Sequence, residues 1–248
     1  MKQELINAIE KFQPISLTEM DEVKLLNRTD TKFVFTVSEL SDLLLESAND
    51  YKVLTIKDKR YSSYKTLYFD TPDNEFFSKH HNGKENRFKV RIRKYMESDL
   101  CFLEVKNKKK GRTLKSRIKI PDFELKLSAE HQKFVDDIVG KPIELIPALW
   151  NSFSRITLVN QELKERLTID TMLSFERNGD EKLLSKIVIA EVKQENVSRN
   201  TPLVSKFKTR QIRPSGMSKY CIGCVLLNKD LKYNNFKEKL LMIDKLNA

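Results

Sequence analysis

The feature that most constrains this chain is the stretch from Arg87 to Lys119, where three short runs alternate charged with apolar residues. Side chains in a β-strand have period two, so each run carries one charged face and one apolar face. In NRFKVRIRKY, Arg87, Lys89, Arg91 and Arg93 share a face, and Phe88, Val90 and Ile92 share the other. In CFLEVK, Glu104 and Lys106 lie together, backed by Leu103 and Val105. In RTLKSRIKI, Thr113, Lys115, Arg117 and Lys119 lie together, backed by Leu114, Ile118 and Ile120. A solvated surface ordinarily mixes signs, because like charges set opposite one another repel. Cations stacked on cations call for an anion.

The whole chain narrows the kind of anion. Its 248 residues carry a formal net charge of +11, with a sequence pI near 9.4. Such a balance selects nucleic acid, phosphate compounds or an anionic membrane as partner. Hydrophobic content of 40% and only 6 Gly and 7 Pro describe a globular chain rather than a linker-rich one. The opening MKQELINAIEKFQ has no apolar leader core, and no apolar run approaches membrane-spanning length. The expected location is therefore cytoplasmic. The three cysteines, Cys101, Cys221 and Cys224, are too few for a disulfide framework, in keeping with a reducing compartment.

Further strands are expected at 51–56, 64–70, 151–159, 166–175 and 185–194, and one ends the run LLNRTDTKFVF at Phe35. Helices are expected over 2–12, after Ser16 (with Glu19 completing a capping box), after Ser38, and from Ser128 to a stop at Gly140 and Pro142. Asn107 to Gly111 reads as the loop between two cationic strands, and Lys206 to Arg213 as a basic connector. A helix follows Pro214, and 235–246 forms a last amphipathic helix, expected to cap the structure. No repeat or splitting linker appears, so residues 1–248 read as one unit. The expected class is α+β: a closed antiparallel β-barrel with a basic lumen, flanked by helices.

Several other strands carry charges on a single parity. Lys32 interrupts the run before Phe33; Arg155 sits in FSRITLV; Arg166 and Asp170 share a face, as do Glu191 and Lys193. Charges buried unpaired in apolar strands cost several kcal/mol, roughly, so they need exposure or a common interior. Glu104 and Glu191 each precede a lysine by two residues. From spacing alone they are either cross-strand partners of nearby cations or ligands of a hard divalent ion. Cys221-Ile-Gly-Cys224 has no second pair and no histidine at zinc-like spacing, and reads as small core residues. The three histidines have no plausible nucleophile beside them, and no glycine-rich phosphate cradle, G-x-S-x-G or H-E-x-x-H is present.

Taken in order, Arg28…Thr31-Lys32, YKTLYFDTPDNEFF, RFKVRIRKY, FLEVK, LKSRIKI, Arg155, RLTIDT, AEVK and SKYCIGC resemble the VTC domain over about residues 25–228. That domain is the catalytic unit of polyphosphate polymerases in the triphosphate tunnel (CYTH-like) superfamily. The resemblance implies a tunnel with ATP and inorganic polyphosphate as partners. It makes Lys32, Arg91, Arg93, Lys106, Lys115, Arg155, Arg166, Ser218 and Lys219 phosphate ligands, with Lys219, Arg91, Arg93 and Glu191 carrying catalysis. It makes Glu191 the ligand of Mn²⁺ or Mg²⁺. Phe153 departs from the family pattern, which has a tyrosine two residues before the arginine matching Arg155. The regulatory SPX domain and membrane segments of some relatives have no expected counterpart, which leaves room for peripheral association with a membrane partner.

The implied activity is transfer of the γ-phosphoryl group of ATP to a growing polyphosphate chain. One alternative is a tripolyphosphatase or nucleoside triphosphatase of the same fold, with Glu104 or Asp170 orienting water. Such hydrolases carry an acidic E-x-E-x-K motif where this chain has the basic Arg28-Thr-Asp-Thr-Lys32. The other alternative is a non-catalytic polyanion or RNA binder. It requires aromatic side chains among the cations, whereas Phe88, Phe102 and Phe123 are all expected to be packing residues.

Overall fold

The computed structural model describes residues 3–22, 29–109, 112–195 and 197–247, with the side chains of 21 and 22 excepted. The expectations for Lys2, for Leu25 to Arg28 and for the Lys110-Gly111 tip lie outside these residues. Eleven strands form one sheet: β1 (Gln13–Ile15), β2 (Thr29–Thr36), β3 (Lys52–Leu54), β4 (Ser62–Asp70), β5 (Arg87–Tyr95), β6 (Leu100–Lys109), β7 (Arg112–Ile120), β8 (Ile146–Asn160), β9 (Glu165–Arg177), β10 (Asp180–Leu184) and β11 (Ile187–Gln194). Eight α-helices accompany them: α1 (Gln3–Ile9), α2 (Leu17–Glu22), α3 (Val37–Leu45), α4 (Glu75–His81), α5 (Ala129–Val139), α6 (Pro202–Thr209), α7 (Lys219–Leu227) and α8 (Lys237–Asn247).

The main path runs β2-β11-β9-β8-β4-β5-β6-β7, with β10 on β9, β3 on β8 and β1 on β3. Every pair along that path is antiparallel. The sheet is not a closed barrel, which corrects the expectation. Among the described residues the two ends of the path, β2 and β7, do not pair. The free edge of β2 is taken instead by the segment entering α7: Phe33 bridges Pro214, and the Ser215 N–H donates to the Lys32 carbonyl at 2.7 Å. Proline has no N–H to continue a ladder, and the chain then turns into a helix. The sheet nevertheless curls, because residues of β2, β5, β6 and β7 line one cavity of about 540 Å³. Strand alternation is identical in a curled and a closed sheet, so parity alone could not separate them.

The apolar parity faces outward under helices. Phe33, Phe35, Val188, Ala190, Leu167 and Ile169 pack with residues of α1, α3 and α6. Val90, Ile92, Cys101, Leu103 and Val105 pack with residues of α5. Both faces close substantial cores, and burial of this kind is the main favourable term in folding. The helix signals were partly legible. Ser16 and Glu19 bond each other's backbone N–H at 3.3 and 2.9 Å, and Ser128 accepts from His131 N–H at 3.3 Å. The cap of α3 is Thr36 rather than Ser38, because Glu39 returns to the Thr36 N–H and completes a box there. Asn107 to Lys109 continue strand β6, pairing with β7 as far as Arg112. Much of the basic connector is helix α6, whose Leu203 and Phe207 are buried.

Helix α7 closes one side of the curl. Its Tyr220, Cys221, Ile222 and Cys224 pack with Leu149, Phe153, Leu173 and Phe175. Both cysteines are free and buried, as the packing reading expects. Gly223 allows the approach: a Cβ there would lie 2.5 Å from Leu149 Cδ2 and 2.5 Å from Phe175 Cδ1. We expect Gly223→Val to lose about 2 kcal/mol or more of stability through overpacking, measured by urea unfolding. An unchanged midpoint would show that α7 does not sit this close.

Candidate functional site

The charged parity of the sheet converges on the concave side, and its organising units are three carboxylates, each held between two cations. Glu104 on β6 accepts from Arg91 on β5, at 2.7 Å to Nε and 2.6 Å to Nη2, and pairs with Lys115 on β7. Asp170 on β9 accepts a bidentate fork from Arg155 on β8, at 2.6 and 2.8 Å, and also pairs with Lys219 of α7. Glu191 on β11 pairs with Lys32 on β2 and with Lys193 two residues along its own strand. Glu104 and Asp170 are 1% and 2% exposed, so these pairs are desolvated rather than surface bridges.

Charge does not balance here. Lys32, Lys89, Arg91, Arg93, Lys106, Lys115, Arg155, Lys193 and Lys219 surround these carboxylates, and with Asp30, 3.9 Å from Lys193, nine cations stand against four anions. Arg93 feels the imbalance most. It is 7% exposed, and its Nε donates only to the Thr66 hydroxyl, at 3.3 Å. Its guanidinium carbon lies 5.6 Å from each of the Tyr64 and Phe153 ring centres. No carboxylate pairs with it among the described residues. Burial, with Arg91 adjacent, pulls the Arg93 pKa below the ordinary arginine value.

The titration shifts trace the same field. Burial would raise Glu104, but Arg91, Arg93 and Lys115 outweigh it and bring it down to about 2. Asp170 and Glu191 are likewise carried well below the carboxylate range by their paired cations, against burial. Burial lowers Lys89 to about 8, and packing against the groove wall lowers Lys106 to about 8 although its side chain still reaches solvent, with neighbouring cations adding to both effects. His80, at the same cavity, falls to about 3 through burial and then Lys89 and Arg87, so its ring is neutral.

Helix α7 delivers two side chains from outside the sheet. Ser218 caps it, accepting from Cys221 N–H at 3.3 Å and from the Lys89 ammonium at 2.9 Å. Lys219 reaches Asp170 and lies 4.7 Å from the Phe153 ring centre. A buried Asp70 fixes the helix. It accepts from the Thr71, Phe76 and Phe77 N–H groups at 2.8 Å each, and from the Tyr220 hydroxyl. The YFDTPDNEFF stretch therefore builds α4 and, through Asp70, sets where α7 begins.

The structure thus brings together Lys32, Arg91, Arg93, Lys106, Lys115, Arg155, Glu191, Ser218 and Lys219. Arg166 shares their parity but donates to the Met20 carbonyl at 3.1 Å, toward α2. Lys89 and Lys193 belong to the constellation although the family pattern did not select them. Strand parity marks both, since Lys89 lies between Arg87 and Arg91 and Lys193 follows Glu191 by two. Glu191 has the oxygen chemistry of a hard divalent-cation ligand, but its two oxygens are paired with Lys32 and Lys193, so a cation would have to displace one of those ammonium groups. Among the described residues no group of three or more His, Cys, Asp or Glu converges, so phosphate and water oxygens would supply most of the coordination, the usual manner for Mg²⁺.

The fold and concave site define a curled antiparallel sheet built around a desolvated basic groove. The VTC domain family model matches residues 27–228, and the chain belongs to that family. No curated protein sequence matches it. Solved structures of similar fold include a protein from Hippeastrum described as an adenylyl cyclase candidate with dominant triphosphatase activity (16% identity, 78% of this chain and 93% of that one, TM-score 0.49). Others are an adenylate cyclase candidate from Bacillus halodurans (14%, 78% and 96%, TM-score 0.45) and a protein from Pyrococcus horikoshii OT3 (13%, 81% and 99%, TM-score 0.43). No helix among the described residues is long and apolar enough to cross a membrane.

Two pH effects follow. Glu104, Asp170 and Glu191 have folded values below their unfolded ones. Their contribution is present above about pH 4.5 and is lost as pH falls toward 2. We expect the melting temperature to drop steeply over that window, and Glu104→Gln to flatten the slope. The two lysines behave in the opposite sense. With folded values near 8 against an ordinary 10.5, they oppose folding while charged, and that cost is relieved as pH rises from 8. Lys89→Met should therefore raise the melting temperature at pH 7 by a few degrees. A fall would show that Lys89 is not held charged against its surroundings.

Proposed function

We propose that this protein is a polyphosphate polymerase, transferring the γ-phosphoryl group of ATP to the end of an inorganic polyphosphate chain held in the basic groove. The observation that supports this reading most is Arg93, a buried guanidinium without a paired carboxylate among the described residues, in a cluster of nine cations and four anions. A multiply charged, flexible chain of phosphates fits that deficit, and guanidinium forks bridge two phosphate oxygens at once. ATP and polyphosphate are the partners this assigns.

Phosphoryl transfer needs in-line positioning and neutralisation of spreading charge more than covalent help. In this reading Arg91, Arg93 and Arg155 hold equatorial phosphate oxygens, and Lys219 with Ser218 at the α7 start holds the transferring group. Lys32, Lys89, Lys106 and Lys115 hold the acceptor chain. The helix start adds N–H donors and a favourable dipole for anions. Glu191 would hold Mn²⁺ or Mg²⁺. A divalent ion there supplies Lewis-acid neutralisation of phosphate oxygens. The acceptor is already an oxyanion, so no general base is required.

The hydrolytic alternative needs an acidic residue free to orient water. Glu104 and Asp170, the two candidates, are each locked by two cations and held ionised far below neutral pH. That favours transfer to phosphate over transfer to water.

The test is incubation of purified protein with ATP and Mn²⁺, following ADP, free phosphate and chain length on a gel. We expect ADP with chains, and at least a hundredfold loss of rate in Lys219→Ala and Glu191→Gln at a temperature where circular dichroism shows both variants still folded. Stoichiometric free phosphate without chains would overturn the reading in favour of hydrolysis. Tight polyphosphate binding without turnover would overturn it in favour of a binder.

A further inference from the structure

The two ends of the groove differ in chemistry. On β5 the concave parity reads Arg87, Lys89, Arg91, Arg93, Tyr95, and on β6 it reads Lys108, Lys106, Glu104, Phe102. Cations dominate one end, beside the neutral His80 and with Asp30 and Phe236 also in its lining, and rings cluster at the other. At the ring end four aromatics form a row across four adjacent strands. Phe153 on β8 stacks on Tyr64 of β4, with ring centres 5.0 Å apart and planes within 2°. Tyr64 meets Tyr95 of β5 at 4.9 Å, and Tyr95 meets Phe102 of β6 edge-on at 5.9 Å.

The inner half of that row has a role within the fold. Phe153 is 3% exposed, and Arg93, Arg155 and Lys219 all lie within 5.6 Å of its ring centre. Arg93 and Arg155 also flank Tyr64, at 5.6 and 5.1 Å. Those two rings support the buried cations. The outer half is different. Tyr95 and Phe102 are only half-buried. Both lie on the polar parity, and neither belongs to the packed cores under the helices. Phe88 and Phe123 pack in the core beneath α5, as expected for them, but Phe102 does not. Instead the exposed Arg117 lies 4.6 Å from its ring centre, and Lys119 faces it across the β6–β7 register. Half-buried rings beside exposed guanidinium make a stacking surface for a planar heterocycle.

We propose that Tyr95 and Phe102 seat the base of the nucleoside triphosphate, giving the groove a direction: base at the aromatic end, phosphates running toward Lys89 and Lys106. This rests on the polymerase reading above and adds which end each substrate occupies. The geometry fits the length of the ligand. Strand rise is about 3.3 Å per residue, so Arg93 lies about 7 Å and Arg91 about 13 Å along β5 from Tyr95. A base stacked at the aromatic end therefore places its triphosphate among those two arginines. The acceptor chain then occupies the other end, whose cavity is lined chiefly by cations, Lys32, Arg87, Lys89, Lys106 and Lys108 among them. Recognition by stacking tolerates any base but favours the larger purine face.

The experiment is calorimetric titration of wild type, Tyr95→Leu and Phe102→Leu with ATP and with tripolyphosphate, both with Mg²⁺. We expect the ratio of ATP to tripolyphosphate affinity to fall about tenfold in each variant, and wild type to prefer ATP over UTP. Tripolyphosphate binding by the variants reports that the groove is intact. If ATP affinity falls no more than tripolyphosphate affinity, the base seat is wrong while the phosphate-chain reading stands. If neither ligand binds wild type, the phosphate-chain reading itself falls, and the base seat with it. If a single-stranded oligoadenylate binds more tightly than ATP and loses affinity in the same variants, the rings serve an RNA strand and the proposal is overturned.

Discussion

The structure depends on a cluster of cations, most of them at least half-buried, without enough anions to match them. Charged groups removed from solvent are costly unless paired and hydrogen-bonded, and four carboxylates cannot balance nine cations. The fold tolerates this because the opposite face of the same strands is apolar and thoroughly packed. Leu67, Phe69, Val90, Ile92, Leu103 and Val105 bury on one wall, and Phe33, Phe35, Leu167, Ile169, Val188 and Ala190 on the other. Alternation along each strand ties the two faces together, so the core that stabilises the sheet also fixes the spacing of the cations.

The carboxylates place the cations as well as neutralising them. Each pins side chains from separate elements. Glu104 joins β5 to β7, Asp170 joins β8 to α7, and Glu191 joins β11 to β2. Arg91, Arg155 and Lys219 therefore stand in defined positions before any ligand arrives, which lowers the ordering cost of binding. Arg93, Lys89 and Lys106 have no such carboxylate in the bonds described above. Their lowered pKa values record an energetic tension that an entering anion would relieve. A groove of this kind exchanges some folding stability for affinity.

Much of this was legible in the sequence, and the limits have physical causes. Period-two alternation exposed the concave set, including Arg91, Arg93, Lys115, Arg155 and Glu191, because a strand assigns faces strictly by parity. Closure was not legible, since whether β2 pairs with β7 depends on the Phe33–Pro214 bridge, a contact 181 residues apart in sequence. The helix α4 was not legible, because it begins at Glu75 directly after Thr71-Pro-Asp-Asn74 and its first N–H donors are satisfied by Thr71 and Asp70 upstream rather than by a side chain of the N-cap Asn74. Phe102 reads as a packing residue when viewed alone. It shares the parity of Glu104 and Lys106, and its contact with Arg117 on the neighbouring strand shows that the ring lies on the polar side rather than in the core. Arg166 has the parity of Asp170 but lies nearer the strand end, where α2 supplies its carbonyl partner.

The central claim is that the groove is an electrostatic deficit awaiting a phosphate chain. The most direct measurement is thermal unfolding at pH 7 in millimolar tripolyphosphate, against sodium chloride matched for ionic strength. Ligands that bind only the folded state raise the melting temperature by mass action, whereas screening by chloride acts weakly on buried charges. The account gives a rise of several degrees with tripolyphosphate well beyond that with chloride, and loss of most of the difference in Arg93→Met. Equal shifts in the two salts, or an undiminished shift in the variant, would contradict it.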